Sequence, residues 1–164
     1  RREHPFIGCF TFEKGRPKME RIQRILMNPR YKALMNEIAD KEATRIYCRH
    51  DMKHFLDVAR IAHILNLEEA LEIDKELIYA TALLHDCGRH VEYESGTPHE
   101  IASGELSLPI MAECGFTDEE TEQIRRGIIF HRNREAAARE PLSDVIYRAD
   151  KLSRACFACE AADS

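Results

Sequence analysis

Five apolar stripes along this chain each carry an imidazole or a carboxylate in helical register with the core. His54 lies four residues before Val58 and seven before Ile61. His85 follows Ile78 by seven and Ala82 by three, and Asp86 comes directly after it. His99 precedes Leu106 by seven and Ile110 by eleven; His131 follows Ile128 by three and Ile124 by seven. Asp150 follows Ile146 by four and Tyr147 by three, and precedes Phe157 by seven. Residues at these spacings share one helix face.

One inward histidine is ordinary, because a core imidazole can be satisfied by a backbone carbonyl. Five stripes doing the same thing need a common cause. A buried carboxylate is costly unless it is paired or bound to a cation. Convergence on a metal ion satisfies all of these groups together, and nitrogen and oxygen donors of this kind suit Fe, Mn, Co, Ni or Zn.

The rest of the chain reads as helix. No sustained β-type alternation and no Asn-Gly or Asp-Gly hairpin signal occurs. Residues 1–17, with Pro5, Gly8, Gly15 and Pro17, are expected to be a loop or arm, and 18–164 one helical domain with its core at about 45–155. Helices are expected over Lys18–Met27 and Tyr31–Ala43, parted by Asn28-Pro29, and from about Arg49 to Leu65. Asp74 caps a helix running to Cys87, with Gly88 as its stop. Thr97, Pro98 and Glu100 read as a capping box for a helix to Cys114, ended by Gly115. Thr117 and Glu120 form a second box for a helix reaching His131. Arg132–Glu140 is a polar link, and Pro141 opens a last helix through about Cys159. An all-α helical bundle of one domain follows.

Composition narrows the function classes. The 164 residues carry a formal net charge of -5, which argues against a nucleic-acid coat. Charge is uneven: Arg1–Lys32 holds nine basic and three acidic residues, so a basic arm on an acidic body is expected. No apolar run approaches the roughly 18–20 residues of a membrane span, and Arg1–Phe12 has no apolar core of signal type. The expected location is cytoplasmic, without membrane or nucleic-acid partners. The six cysteines are then expected to be reduced thiols, with Cys156-x-x-Cys159 lacking the second pair that a zinc ribbon needs.

The ordered set His54…His85-Asp86…Asp150 resembles the HD-domain metal-dependent phosphohydrolase superfamily. The surrounding text is similar too: RHDMKHFLDVARIA at 49–62, ATALLHDCGR at 80–89 and YRADKLSR at 147–154. The resemblance implies that His54, His85, Asp86 and Asp150 bind a catalytic divalent metal. TPHEIASG at 97–104 and IIFHR at 128–132 sit where binuclear members have two further histidines. It thus implies that His99 and His131 bind a second ion, with Asp86 as the bridging and catalytic carboxylate. This branch includes the bacterial diadenosine tetraphosphate hydrolases, and GFTDEE at 115–120 is similar to it. A single-metal site, with His99 and His131 supporting ligands or substrate, is the alternative.

The expected cofactor is one or two divalent ions from among Fe, Mn, Co, Ni, Mg and Zn. A hydroxide held between two ions would attack phosphorus in line. Arg89, Arg132, Lys151 and His50 are the expected substrate-binding residues, with Lys53 and Arg154 as further candidates. His63 and His90 receive no role. The expected partner is a small anionic phosphorylated molecule, a nucleotide by preference. Two other readings share the ligand set: a di-iron oxygenase of the same superfamily, and a noncatalytic nucleotide-sensing module. Guanosine-tetraphosphate hydrolases carry a Glu-Asp pair soon after the doublet, whereas Arg89-His90-Val91-Glu92 follows here; the Gly-Tyr-Pro signature of cyclic dinucleotide phosphodiesterases is absent.

Overall fold

Asn28 ends one helix and begins the next. Its amide donates to Ile25 O, while its side chain accepts from the backbone N–H groups of Arg30 and Tyr31. Pro29 then occupies the first helical position, where its missing N–H costs nothing. The two helices are α1 (Glu20–Met27) and α2 (Pro29–Lys41). The computed structural model describes residues 19–154 of the chain. The arm at 1–17 and the pair Cys156 and Cys159 lie outside the described residues.

Seven more helices follow: α3 (Met52–Glu68), α4 (Lys75–Leu84), α5 (Arg89–Ser95), α6 (His99–Cys114), α7 (Asp118–Phe130), α8 (Arg134–Ala137) and α9 (Pro141–Leu152). The described residues contain no strand, so the fold is all-α. No helix among them is long and apolar enough to cross a membrane. α3 packs on α4 and α9, and α7 packs on α4, α6 and α9. Phe55, Val58, Ile78, Leu83, Ile110, Met111, Ile124, Ile128 and Ile146 fill the space between them with no exposed surface.

Several elements begin as the sequence indicates. Asp74 caps α4, and Thr117 with Glu120 forms the full reciprocal box of α7, whereas α3 starts at Met52 rather than about Arg49 because Asp51 caps it through the His54 amide. Pro141 opens α9, which ends at Leu152 with Ser153 as its C-cap, short of the expected Cys159.

Others differ, for local reasons. The expected box at Thr97 does not form: α6 starts at His99 with Pro98 as its N-cap and no side-chain cap. The Thr97 hydroxyl is instead 2.9 Å from Ser95 Oγ. α4 stops at Leu84 rather than Cys87, and the next residues form a turn leading into α5, which the sequence reading did not separate. Gly88 is the N-cap of α5 rather than a left-handed stop. Its lack of a side chain is needed for space, since a Cβ there would sit 2.5 Å from Ser103 N. The polar link at 132–140 contains the single turn α8.

The basic N-terminal segment does pack on acidic groups where it is described. Arg21 Nε bonds Glu76 Oε2 at 2.5 Å and its Nη1 bonds both Glu120 oxygens at 2.8 Å, tying α1 to α4 and α7. Cys87 and Cys114 are buried thiols and Cys48 is exposed, all three free. Burial pushes the Cys87 thiol up to about 12, so it stays protonated.

Candidate metal centre

The helix ends aim the site residues at one point. His54 sits in the first turn of α3, His99 is the first residue of α6, His131 is the C-cap of α7, and Asp150 is in the last turn of α9. His85 and Asp86 occupy the turn after α4. Gly88 lets this turn approach α6 closely, and its amide donates to Ser103 Oγ at 2.8 Å. That contact brings Asp86 beside His99.

Asp86 is the hub. Its Oδ2 lies 3.2 Å from His85 Nε2, 3.6 Å from His50 Nε2 and 3.7 Å from His54 Nε2. Its Oδ1 faces the other way, 2.9 Å from His99 Nε2 and 3.6 Å from His131 Nε2. Asp150 Oδ1 joins the first group, 3.6 Å from His54 Nε2 and 3.9 Å from His85 Nε2. The Asp86 carboxylate therefore divides the centre into two donor sets, one on each oxygen.

The Nδ1 side of every ring has a partner. His85 Nδ1 donates to Ala82 O at 2.7 Å and His131 Nδ1 to Ile128 O at 2.5 Å. His99 Nδ1 is 2.6 Å from Glu92 Oε2 and 2.8 Å from Arg89 Nη1, His50 Nδ1 is 2.5 Å from Glu42 Oε1, and His54 Nδ1 is 3.3 Å from Ser153 Oγ. A neutral imidazole that donates at Nδ1 presents a lone pair at Nε2. Four such lone pairs, those of His50, His54, His85 and His131, thus face two carboxylates. His50, His54 and His85 Nε2, together with Asp86 Oδ1 and Asp150 Oδ1, are buried without a hydrogen-bond partner. Acceptors crowded together without donors make a place that a cation would stabilise. His54, His85 and Asp150 on one side, and His85, Asp86 and His131 on the other, place donor atoms within 4.8 Å of one another, close enough to hold metal ions.

Electrostatics agree. Burial alone would raise the Asp86 pKa, but His85, His131 and His54 outweigh it and hold the carboxyl well below the usual range. Burial likewise opposes ionisation of Asp150, yet His85 and Lys151 bring it down to about 2. His85 is shifted up: burial would lower it, and the charges of Asp86 and Asp150 prevail. A proton and a metal ion compete for the same place there. Burial drives His131 and His50 down, His50 to about 4, so both rings are neutral.

Beside the centre opens a cavity of about 340 Å³, lined by Asp86, His99, His131 and Asp150 together with Arg89, Arg132, Lys151 and Arg154. Lys151 Nζ lies 2.6 Å from Asp150 Oδ2. Lys53 is elsewhere, paired with Asp57 on the surface. His50, expected at the substrate, does not line this cavity; its ring is buried between Glu42 and Asp86. His63 stacks edge-on with Tyr79, away from the centre.

Three orienting residues escaped the sequence reading: Glu42, Glu92 and Ser153. Glu92 follows the His-Asp doublet closely and lies seven residues before His99, but only the turn at 96–98 brings it to that ring. Glu42 acts across the loop between α2 and α3. Neither carries a periodic signal.

An all-α bundle with a buried His/Asp centre beside a cationic cavity defines a class of metal-dependent protein. The HD domain model matches residues 52–155, and the chain belongs to the HD domain family. HD domains bind divalent metals, and the cluster around Asp86 could hold one. An uncharacterized protein of Clostridium beijerinckii is 46% identical over 145 residues, covering 88% of this chain and 90% of its own length. More distant relatives are ribonuclease Y proteins: that of Clostridium kluyveri is 26% identical over 127 residues, covering 70% of this chain and 24% of its own. Ribonuclease Y of Clostridium perfringens is 29% identical over 119 residues, covering 65% of this chain and 23% of its own. The similarity thus spans about a quarter of those longer proteins. No solved structure matches significantly.

Proposed function

We propose that this protein is a phosphohydrolase of the binuclear HD type, the branch that includes the diadenosine tetraphosphate hydrolases, acting on a phosphate ester or anhydride of a nucleotide. The observation that supports this is the Asp86 carboxylate with histidine Nε2 atoms gathered on each oxygen, those of His54 and His85 having no hydrogen-bond partner. His54, His85, Asp86 and Asp150 would hold one divalent ion, and His99 and His131 with Asp86 a second. Such ions supply a water that ionises near neutral pH and positive charge against the phosphoryl oxygens.

The chain's own residues do the rest. Arg89, Arg132, Lys151 and Arg154 neutralise phosphates entering the cavity and orient the scissile phosphorus over Asp86. Lys151 and Arg154 sit against Asp150, so their charge is anchored at the edge of the centre. Asp86 fixes the relative placement of the two donor sets, which is why it is assigned the catalytic role. The cavity volume suits a small ligand, and the net charge of -5 disfavours a long RNA.

The test is elemental analysis of protein purified without chelator, then chromatographic detection of the products released from mononucleotides, dinucleoside polyphosphates and short RNA. Metal-dependent release from a nucleotide supports the reading. Release from RNA alone moves the substrate class to that of the ribonuclease relatives. Oxygen consumption without phosphate release makes it an oxygenase, and tight nucleotide binding without turnover makes it a sensor.

A further inference from the structure

We propose that His50 is a further ligand to the ion on the His54, His85 and Asp150 side of the centre, and that Glu42 is the residue that positions it. The inference rests on the reading above, that the centre binds metal, and adds a donor to the six already assigned.

His50 immediately precedes the N-cap of α3, and only 2% of it is exposed. Glu42, at the end of α2 and 4% exposed, grips it twice: Oε2 accepts the His50 backbone N–H at 2.8 Å, and Oε1 lies 2.5 Å from Nδ1. Glu42 is fixed in turn by the Tyr93 hydroxyl of α5, which donates to Oε1 at 2.6 Å. A carboxylate only accepts, so the ring hydrogen is on Nδ1 and Nε2 is a bare lone pair.

That lone pair points at Asp86 Oδ2 from 3.6 Å, and both partners are acceptors. His50 Nε2 is buried and has no hydrogen-bond donor. A ring present for packing has no reason to turn its lone pair on a carboxylate in a dry interior, where the contact is repulsive. An ion between them reverses the sign. The same oxygen is already approached by His54 and His85, and the His50 and His54 rings sit edge to face with centroids 5.6 Å apart. A carboxylate behind an imidazole is the usual support of a metal-bound histidine, because it fixes the tautomer and makes Nε2 a better donor. The His50 ring is absent from the lining of the cation-lined cavity, which separates this role from substrate binding.

The experiment uses the full chain with Co²⁺ as the probe. Affinity is read by chelator competition, the ligand field by visible absorption, and folding of the metal-free protein by circular dichroism. His50→Ala and His50→Gln are expected to keep the helical spectrum, lose at least about tenfold in affinity for one ion, and shift the Co²⁺ absorption. Glu42→Gln is expected to weaken the same ion by roughly 10–100-fold while His50 remains in place. Folded His50 variants with wild-type affinity and spectrum overturn the proposal. Should the variants not fold, proton NMR of the wild-type protein loaded with Co²⁺ at both sites decides: five strongly shifted exchangeable imidazole N–H signals support a coordinated His50, and four refute it. A wild-type protein that takes up no Co²⁺ would instead remove the metal reading itself.

Discussion

The Nε2 atoms of His99 and His131 lie 3.2 Å apart; His131 commits its Nδ1 to Ile128 O, while His99 Nδ1 meets both Glu92 Oε2 at 2.6 Å and Arg89 Nη1 at 2.8 Å. Asp86 Oδ1, 2.9 Å from His99, adds a carboxylate oxygen to the same spot. His99→Ala and His131→Ala should therefore each reduce metal content from two ions per chain toward one, with His54, His85 and Asp150 still loaded. Elemental analysis after gel filtration measures this; an unchanged content in both variants would show that the second donor set is not a metal site.

His85 and Asp86 serve both sides. His85→Ala or Asp86→Ala should abolish metal uptake and phosphate release together while the helical circular dichroism spectrum persists. Full activity in either variant rejects the assignment of the centre.

Arg132 is 49% exposed at the cavity mouth and lies within 3.5 Å of Glu92 and Glu100. Its removal should act on substrate binding rather than on chemistry. Arg132→Ala is expected to raise KM by about tenfold, one charged hydrogen bond being worth roughly 1.5–3 kcal/mol, with kcat little altered. A loss confined to kcat would place Arg132 in the chemical step instead.

Acid stability should report on Glu120. Burial would raise its pKa, but hydrogen bonds from Arg21 and from the Thr117 amide bring it below the ordinary carboxylate value. As pH falls, the unfolded chain takes up this proton first, near about pH 4.3. The stabilisation is complete above that pH and is lost as pH drops through the lower folded value. Glu120→Gln should cost about 1 kcal/mol at pH 7, given its part-exposed setting, and melting temperatures of variant and wild type should converge once pH has dropped below the folded value. Parallel curves down to low pH would remove Glu120 from the account.

Gly88→Ala tests the contact that brings the doublet to α6. The added methyl would lie 2.5 Å from Ser103 N, 2.8 Å from the Ala102 carbonyl carbon and 2.9 Å from Ala102 Cβ. Backbone cannot yield as a side chain does, so a loss of about 1–3 kcal/mol is expected in denaturant unfolding, the range for overpacking a close contact. A neutral substitution would mean that the turn and α6 can separate freely.

Helical periodicity made much of the centre legible. His54, His131 and Asp150 each share a face with core residues, so their direction follows from spacing within one helix. The caps at Asp51, Asp74 and Thr117 were equally local, and only Asp51 was not singled out beforehand. Thr97 failed because its hydroxyl meets Ser95 Oγ and the chain enters α6 two residues later, a choice between two local bonds that spacing cannot rank.

What lies between elements was not legible. The residues themselves determined that the chain is helical, that its stripes carry titratable groups into the interior, and that a His-Asp doublet is among them, since each of these depends on neighbours a few positions apart. The tertiary structure alone decided that Asp86 turns one oxygen to His50, His54 and His85 and the other to His99 and His131, and that Glu42 and Glu92 stand behind two of those rings. Such contacts depend on how helix ends meet across the bundle, which is set by packing of the whole core rather than by any periodicity along one segment.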